Sequence, residues 1–298
     1  MNNSVGRTDF LDEHEIAAVR VSDLRKSYGK VEALKGVDLV VQKGTVFGLV
    51  GPNGAGKTTL IKALVGSLKP TAGTIQVLGL DPLDQRWTLR KQIGYMPQST
   101  ALYDDLSARA NILFFNRAQP IDDLPSKVDT ILEFTELTDR ADDHISTFSG
   151  GMKKRVSLAC ALVHQPTIII LDEPTAAVDP HLRFRMWQQF RELAAQGKTL
   201  FISTHLMEEA LMCDRVAVLL RGEIIADKSP VTILKAGRTR LELQRHGQTE
   251  EKTIISTPEA LADELHPYGL APEIEAITIK PDSLEDVILA IIQDRGES

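Results

Sequence analysis

The chain has 298 residues, of which 43% are hydrophobic and 25% charged, and its formal net charge is −7. This composition is typical of globular proteins and excludes a disordered or collagen-like chain. The apolar runs are far shorter than the about 18 residues that a membrane-spanning helix needs, and the polar first 15 residues lack the apolar core of a secretion signal. Two cysteines in apolar stretches, Cys160 and Cys213, favour reduced thiols, so we expect a soluble intracellular protein.

The negative charge is concentrated at the end of the chain. Residues 238–298 carry 6 Lys and Arg against 13 Asp and Glu. Nucleic acids and anionic membranes are usually bound by basic surfaces. We therefore interpret this segment as an acidic solvated face and expect no nucleic-acid partner.

The first predicted elements are strands. Residues 15–40 alternate between apolar and polar side chains around the polar turn at residues 27–30. The apolar run TVFGLV, residues 45–50, predicts a buried parallel strand. After a glycine-rich segment, residues 58–67 carry apolar side chains at helical spacing. A strand, a loop and a helix in this order predict the start of a βαβ unit.

Helices and strands then alternate along the chain. Residues 101–165 are predicted to be mostly helical, with a break at Leu124 and Pro125. Strands are expected at 167–171, 199–203 and 215–220, and helices at 181–196 and 206–214. This order indicates an α/β fold with a parallel sheet and a helical insertion. His164 and His181 have no partner close in sequence, and we expect them on the surface.

The pattern changes after Gly237. Strands are predicted at 240–244, 253–256 and 275–279, a short helix at 258–265, and an amphipathic closing helix from Leu284. We therefore divide the chain into a flexible N-terminal segment at 1–15, a main domain at 16–236 and a small α+β accessory domain at 237–298.

A phosphate-binding loop follows the strand at 45–50. It comprises Gly51, Pro52, Asn53, Gly54, Ala55, Gly56, Lys57, Thr58 and Thr59 and matches the pattern GxxxxGK[ST]. Glycines let successive backbone N–H groups surround phosphate oxygens at a helix N-terminus. We expect Lys57 to bind the β- and γ-phosphates and the Thr58 hydroxyl to ligate Mg²⁺.

Two acidic residues end the predicted strand in the segment TIIILDEP, residues 167–174. P-loop enzymes hold their magnesium with such an acid, here Asp172. If the strand continues, Glu173 faces the other way and is placed to orient or deprotonate a water in line with the γ-phosphate. An isolated Asp-Glu pair would also fit a solvated strand end, but the upstream P-loop favours the catalytic interpretation.

A third motif identifies a family resemblance. Residues 148–155 read FSGGMKKR and resemble the LSGGQ signature of ABC ATPases, with Phe148 for Leu and Met152 for Gln. Further marks of that family stand in matching order: the aromatic that stacks on adenine (Tyr28), the Q-loop (Gln98), the D-loop (Val178 and Asp179) and the switch histidine (His205). The resemblance covers roughly residues 16–236 and implies ATP and Mg²⁺ as cofactors.

The resemblance also implies roles for these residues. Glu173 would be the catalytic base and His205 would contact the γ-phosphate. Gln98 would sense the nucleotide and complete the metal ligands with Thr58 and Asp172. With Lys57, these side chains form the predicted catalytic set of an ATPase.

The signature segment has a physical logic of its own. Ser149, Gly150 and Gly151 precede an apolar helical run and offer backbone donors at a helix N-terminus, although alone they would also fit an ordinary helix cap. The family arrangement is a head-to-tail dimer, in which Ser149 of one copy, together with Asp179, completes the ATP site of the other. The basic run at 153–155 is expected to be the exposed first turn of that helix.

The expected fold is therefore an α/β P-loop NTPase of ABC type, with a parallel sheet core, an antiparallel β-subdomain, a helical subdomain at about 99–165 and the C-terminal α+β appendage.

The ending PDSLEDVIL, residues 281–289, resembles the ending of ATPases of ABC-2 type exporters. This resemblance implies an ATPase subunit that pairs with a second copy or a related chain and drives a separately encoded permease from the cytoplasmic face of the membrane. The helical insertion after Gln98 is the expected docking surface for that permease. The alternative is a soluble ABC ATPase of cofactor assembly or nucleic-acid metabolism. The closing helix either packs the appendage or joins two copies of the chain, or the appendage has a regulatory role.

Overall fold

The computed structural model describes residues 17–268 and 274–296, so the predicted flexible segment 1–15 lies outside the described residues. The strands are β1 (Ala17–Tyr28), β2 (Val31–Gln42), β3 (Val46–Val50), β4 (Ala72–Val77), β5 (Ile93–Met96), β6 (Ile168–Asp172), β7 (Thr199–Thr204), β8 (Arg215–Leu220), β9 (Glu223–Lys228), β10 (Arg238–Arg245), β11 (Gln248–Ile255) and β12 (Ile274–Pro281). The helices are α1 (Lys57–Leu64), α2 (Arg86–Arg90), α3 (Ala108–Asn116), α4 (Leu124–Phe134), α5 (Gly150–Leu162), α6 (Pro180–Ala195), α7 (Met207–Ala210), α8 (Pro230–Leu234), α9 (Pro258–Leu265) and α10 (Leu284–Gly296).

The centre of the fold is a six-stranded sheet in the order β5-β6-β7-β3-β8-β9. Its first five strands are parallel, and β9 joins β8 antiparallel at the edge. A second sheet, β2-β1-β4, and a third, β11-β10-β12, are both antiparallel. The predicted parallel core, antiparallel subdomain, helical insertion and α+β appendage are thus confirmed as architecture.

Alternating side chains of the central strands fill two separate cores. Phe47 and Leu49 of β3 pack with α1 and the β2-β1-β4 sheet, and the Phe47 and Phe201 rings stack with their centroids 5.4 Å apart. Val46 and Val50 face the opposite side and pack with Trp187 of α6 and with residues of α5 and α10. Because both faces are covered, these strands are continuous apolar runs, as the sequence pattern predicts.

This topology places the site. The carboxyl ends of neighbouring parallel strands meet at one edge of a sheet, where ligands of open α/β folds bind. The loop after β3, the acidic end of β6 and the end of β7 therefore lie side by side. Among the described residues, no helix has the length and apolarity to cross a bilayer.

Several local expectations are wrong. Strands β4, β5 and β9 and helices α2 and α8 were not predicted. Strand β5 has only four residues, β4 is largely exposed, and the middle of β9 is half-buried, so none of them carries a clear apolar pattern. The helix expected at 206–214 is shortened to α7. The break expected at Leu124 and Pro125 is present, since α3 ends at Asn116 and α4 begins at Leu124, with Pro125 in its first turn, where a missing N–H costs nothing. His164 is half-buried and is not a surface residue.

Candidate active site

The P-loop connects β3 to α1 and needs glycine at its narrowest points. A Cβ atom at Gly51 would lie 2.2 Å from the Leu219 carbonyl oxygen, and one at Gly56 would lie 2.6 Å from that of Ala33. Gly54 and Gly56 also have positive φ angles, of 81° and 111°. A cavity of about 290 Å³ opens beside this loop, lined by Ala33, Asn53, Gly54, Gly56, Lys57, Thr58, Thr59, Gln98 and Glu173.

Lys57 points back along its own loop. Its buried Nζ donates to the carbonyl oxygens of Gly51, at 2.7 Å, and Pro52, at 3.2 Å. The same Nζ lies 3.2 Å from Oε1 of Glu173. The lysine charge thus lines the cavity and is compensated by the carboxylate of Glu173, the residue that follows β6.

Asp172 is the last residue of β6 and is buried. Its Oδ1 accepts a hydrogen bond of 2.6 Å from the Ser203 hydroxyl, whereas its buried Oδ2 has no hydrogen-bond partner. A buried carboxylate oxygen without a partner is costly, and a bound cation would satisfy it. Thr58 and Gln98 line the neighbouring cavity, and a set of carboxylate, hydroxyl and amide oxygens suits Mg²⁺.

The Glu173 carboxylate contacts the other three predicted catalytic residues, Lys57, Gln98 and His205. Strand β6 ends at Asp172, and Glu173 takes a left-handed backbone conformation with φ 50°. Its carboxylate contacts Lys57 at 3.2 Å, accepts from Gln98 Nε2 at 3.1 Å and lies 3.3 Å from His205 Nδ1. A non-glycine residue held in this region signals backbone strain, which concentrates at functional sites.

The signature segment lies elsewhere on the chain. Ser149 caps α5, its hydroxyl accepting from the Met152 N–H at 3.3 Å, and Ser149 and Gly150 are exposed. Phe148 is buried in the core of the helical insertion. Ser149, Gly150 and Gly151 are not among the described residues that line the cavity at Lys57. The structure therefore does not bring the two glycine-rich segments together within one chain.

Two further predicted nucleotide contacts are also accessible. Asp179 caps α6, and the hydrogen bond from the Leu182 N–H, 3.0 Å long, lowers the pKa of the Asp179 carboxyl. Tyr28 ends β1 with 49% of its surface exposed and with Lys26 Nζ 5.1 Å from its ring centroid. Neither residue lines the cavity described above.

Two supporting residues were missed by the sequence interpretation. Ser203 of β7 donates to Asp172 and accepts from the Glu173 N–H at 3.0 Å, so it fixes both acids. Lys154 is not on an exposed first turn, since it is half-buried and burial lowers the pKa of its ammonium group. Its Nζ donates to the carbonyl oxygens of Gln98 at 2.7 Å and Glu173 at 3.1 Å. Lys154 thus ties the signature helix to two residues of the site.

Comparison with known proteins agrees with this geometry. The family model described as ABC transporter matches residues 34–176. The Nod factor export ATP-binding protein I of Rhizobium meliloti is 35% identical over 293 residues, which cover 92% of this chain and 88% of the relative.

Solved structures give the same picture. The structure of an ATP binding subunit of an ABC transporter superposes with a TM-score of 0.70 at 25% identity and covers 92% of this chain and 99% of its own. A dimeric post-hydrolysis state of an ATP-binding cassette, bound to ADP and Pi, superposes with a TM-score of 0.65 at 28% identity. The match covers 71% of this chain and 98% of the cassette. The chain belongs to the family of ABC transporter ATP-binding subunits and is an ATPase.

Proposed function

We propose that this ATPase powers export through a separately encoded ABC-2 type permease, and that two copies close around two Mg²⁺·ATP. The observation that carries the proposal is the separation of the two glycine-rich segments. Lys57, Gln98, Glu173 and His205 converge at one cavity, whereas Ser149 and Gly150 are exposed outside it. The relative named as an export protein supports the direction, and the dimeric cassette bound to ADP and Pi supports the pairing.

In this proposal each side chain has a defined task. Lys57 and backbone N–H groups of the P-loop at residues 51–59 (all but Pro52 carry one) bind the phosphates, and Tyr28 stacks on the adenine. Thr58, Gln98 and Asp172 hold Mg²⁺, which neutralises phosphate charge when bound. Glu173 orients a water or removes its proton, and His205 contacts the γ-phosphate. Ser149, Gly150, Gly151 and Asp179 of the second copy complete the site.

The permease contact is assigned to an exposed aromatic cluster on the helical insertion. The cluster consists of Tyr103, Phe114 and Phe115, which are 49%, 51% and 40% exposed. The Tyr103 and Phe114 ring centroids are 4.8 Å apart. The Asn111 side chain accepts from the Tyr103 N–H and donates to the Tyr103 carbonyl oxygen, which fixes the backbone there. An ordered apolar patch of this kind suits a cytoplasmic helix of a membrane subunit and would hold the ATPase at the cytoplasmic face.

The domain division supports the same proposal. We assign residues 16–236 to nucleotide binding, with the helical subdomain at about 99–165, and residues 237–298 to an accessory domain. Strands β10–β12 form a sheet of their own, while Leu284, Val287 and Ile288 of α10 belong to the same buried core as Trp187 of α6. The accessory domain is thereby anchored to the domain that hydrolyses ATP.

Glu173→Gln tests the catalytic assignment and the dimer together. The amide retains the shape but cannot remove a proton, so turnover should stop while ATP binding persists. The trapped nucleotide should then raise the dimer population, which sedimentation velocity measures with and without ATP. Normal hydrolysis by this variant would remove Glu173 as the base, and a monomer at saturating ATP would contradict the sandwich.

The permease assignment is tested by co-purification from membranes with the full set of subunits. Replacement of Tyr103 and Phe114 by Ala should release the ATPase from a multi-span membrane protein while ATP binding is retained. Phe184→Ala is the matched control, because Phe184 is 55% exposed on α6 and outside the cluster. Recovery of the wild-type chain with a soluble partner, and without a membrane protein, would favour the soluble ABC ATPase instead.

A further inference from the structure

A third buried carboxylate, besides those of Asp172 and Glu173, lies outside the cavity at Lys57. Glu209 of α7 is 1% exposed and does not line the cavity at Lys57. Its Oε1 accepts a hydrogen bond of 2.5 Å from the Thr175 hydroxyl, and its Oε2 accepts one of 2.6 Å from the Thr204 hydroxyl. The Arg183 Nε lies 3.8 Å from Oε1. A carboxylate so fully buried is costly unless its oxygens are satisfied, and here both oxygens are.

One arm of this network leads to the switch histidine. Thr204 directly precedes His205, and its hydroxyl accepts from the Leu206 N–H at 3.0 Å while donating to Glu209. The hydroxyl therefore bridges the backbone on the far side of His205 to the Glu209 carboxylate. His205 Nδ1 in turn lies 3.3 Å from the Glu173 carboxylate.

The other arm leads to the D-loop. Thr175 lies two residues after Glu173 and begins the turn that ends at Asp179, the cap of α6. Arg183 also donates to the Val178 carbonyl oxygen at 3.4 Å, so its side chain contacts both this turn and Glu209. The turn contains Ala177 in a left-handed conformation, with φ 59°. The Glu209 carboxylate thus binds the first residue of the turn, Thr175, directly. It is linked to the end of the turn through Arg183, which contacts both Glu209 and the Val178 carbonyl oxygen.

We propose that Glu209 is a positioning residue that couples His205 to the Thr175–Asp179 turn. The inference rests on the proposed function, in which His205 contacts the γ-phosphate of its own chain while Asp179 faces the site of the second copy. A shift of Thr204 on nucleotide binding moves one oxygen of a carboxylate whose other oxygen holds Thr175. The two ATP sites of a dimer therefore communicate through a single rigid side chain.

The carboxylate is required because both of its partners donate. A Gln side chain at this position accepts one hydrogen bond and donates at the other end, so one threonine hydroxyl loses its acceptor. The substitution Glu209→Gln preserves volume and isolates this difference. Glu208→Gln is the matched control, since the Glu208 side chain is 90% exposed and lies 3.9 Å from the same arginine.

The experiment measures the ATPase rate against ATP concentration for the full-length wild type, Glu209→Gln and Glu208→Gln. We expect kcat of Glu209→Gln to fall by about tenfold or more, because small displacements of catalytic groups cost that much. We expect the ATPase rate of the wild type to depend sigmoidally on ATP concentration, because two ATP molecules close one dimer, and the rate of Glu209→Gln to depend on it hyperbolically. The Kd for ATP should stay unchanged, because Glu209 does not line the cavity. A general loss of folding would instead lower the ATP-binding capacity.

Two single-arm variants separate the connections and replace Glu209→Gln if that variant does not fold. Thr175→Val should abolish the sigmoidal dependence with a smaller loss of kcat, and Thr204→Val should lower kcat more strongly. Wild-type kcat and wild-type sigmoidal curves in both variants, or in Glu209→Gln, would overturn the coupling while leaving the proposed function intact. A wild-type chain that hydrolyses ATP without dimerising would overturn the proposed function as well.

Discussion

Nζ of Lys57 lies 3.2 Å from Oε1 of Glu173, and these side chains are only 5% and 7% exposed. The pair joins the first residue of α1 to the residue that follows β6. Lys57 has two further acceptors in the carbonyl oxygens of Gly51 and Pro52. The Glu173 carboxylate has Gln98 and His205 as its other partners. The phosphate-binding cation and the proposed base therefore stabilise each other in the protein alone.

This relationship predicts strong coupling in a double-mutant cycle of Lys57→Met and Glu173→Gln. Lys57→Met should cost about 3 kcal/mol of unfolding free energy, since it leaves a buried carboxylate without its cation. Glu173→Gln should cost less, because Lys57 keeps its two carbonyl acceptors. The double variant should recover about 1–3 kcal/mol relative to the sum of the single changes. Urea unfolding without nucleotide measures all four proteins, and additive effects would show that the contact contributes nothing.

Asp172→Asn is predicted to remove magnesium-dependent hydrolysis. The buried Oδ2 of Asp172 has no hydrogen-bond partner, and an amide nitrogen there would present a donor where a cation needs an acceptor. We expect the rate to fall by about a hundredfold or more, a typical loss when a group that stabilises transition-state charge is removed. ATP binding in EDTA should persist. Full stimulation by Mg²⁺ in this variant would exclude Asp172 as a ligand.

Mixed dimers test whether each ATP site is built from two chains. Lys57→Ala disables the P-loop of its own chain. Ser149→Arg instead blocks the exposed cap of α5, the segment that completes the ATP site of the partner chain. Each variant alone should be inactive. A mixed dimer contains one site with an intact Lys57 and an intact Ser149, so an equal mixture should recover about a quarter of wild-type activity if the sites act independently. Mixtures as inactive as the separate variants would argue that both segments serve one chain.

The sequence predicts those parts of the site that depend on local pattern. An apolar run, a glycine-rich loop and a helical period place Lys57 at the start of the helix after β3, and a second apolar run places Asp172 at the end of β6. The parallel topology brings the two segments to the same edge of the sheet. The contacts of Ser203, Lys154 and Glu209 could not be predicted, because each joins residues that are distant along the chain. Lys154 reaches Gln98 across 56 positions, and Ser203 reaches Asp172 across 31. Hydroxyl and amine side chains carry no periodic signal before the chain folds.

A last prediction concerns acid stability and depends on His164. This residue follows α5 and is half-buried, with Nε2 3.0 Å from the Ile93 carbonyl oxygen. Its Nδ1 is buried and has no hydrogen-bond partner. Burial lowers the pKa of His164 below its usual 6.5, an effect that the Ile93 carbonyl partly opposes. Protonation in the folded protein would place an unsatisfied N–H in the interior.

The sign of the effect follows from linkage. In the unfolded chain His164 binds a proton near pH 6.5, whereas the folded protein binds it only at lower pH. Between these two pKa values the unfolded state holds more protons, so stability decreases as the pH falls through this window. Urea midpoints from about pH 7.5 to 5 should therefore fall more for the wild type than for His164→Gln, whose amide can still donate to Ile93. His144→Gln is the control, because His144 is exposed and its replacement should leave the wild-type dependence in place. Equal losses in the wild type and His164→Gln would mean that another group sets the acid limit of the fold.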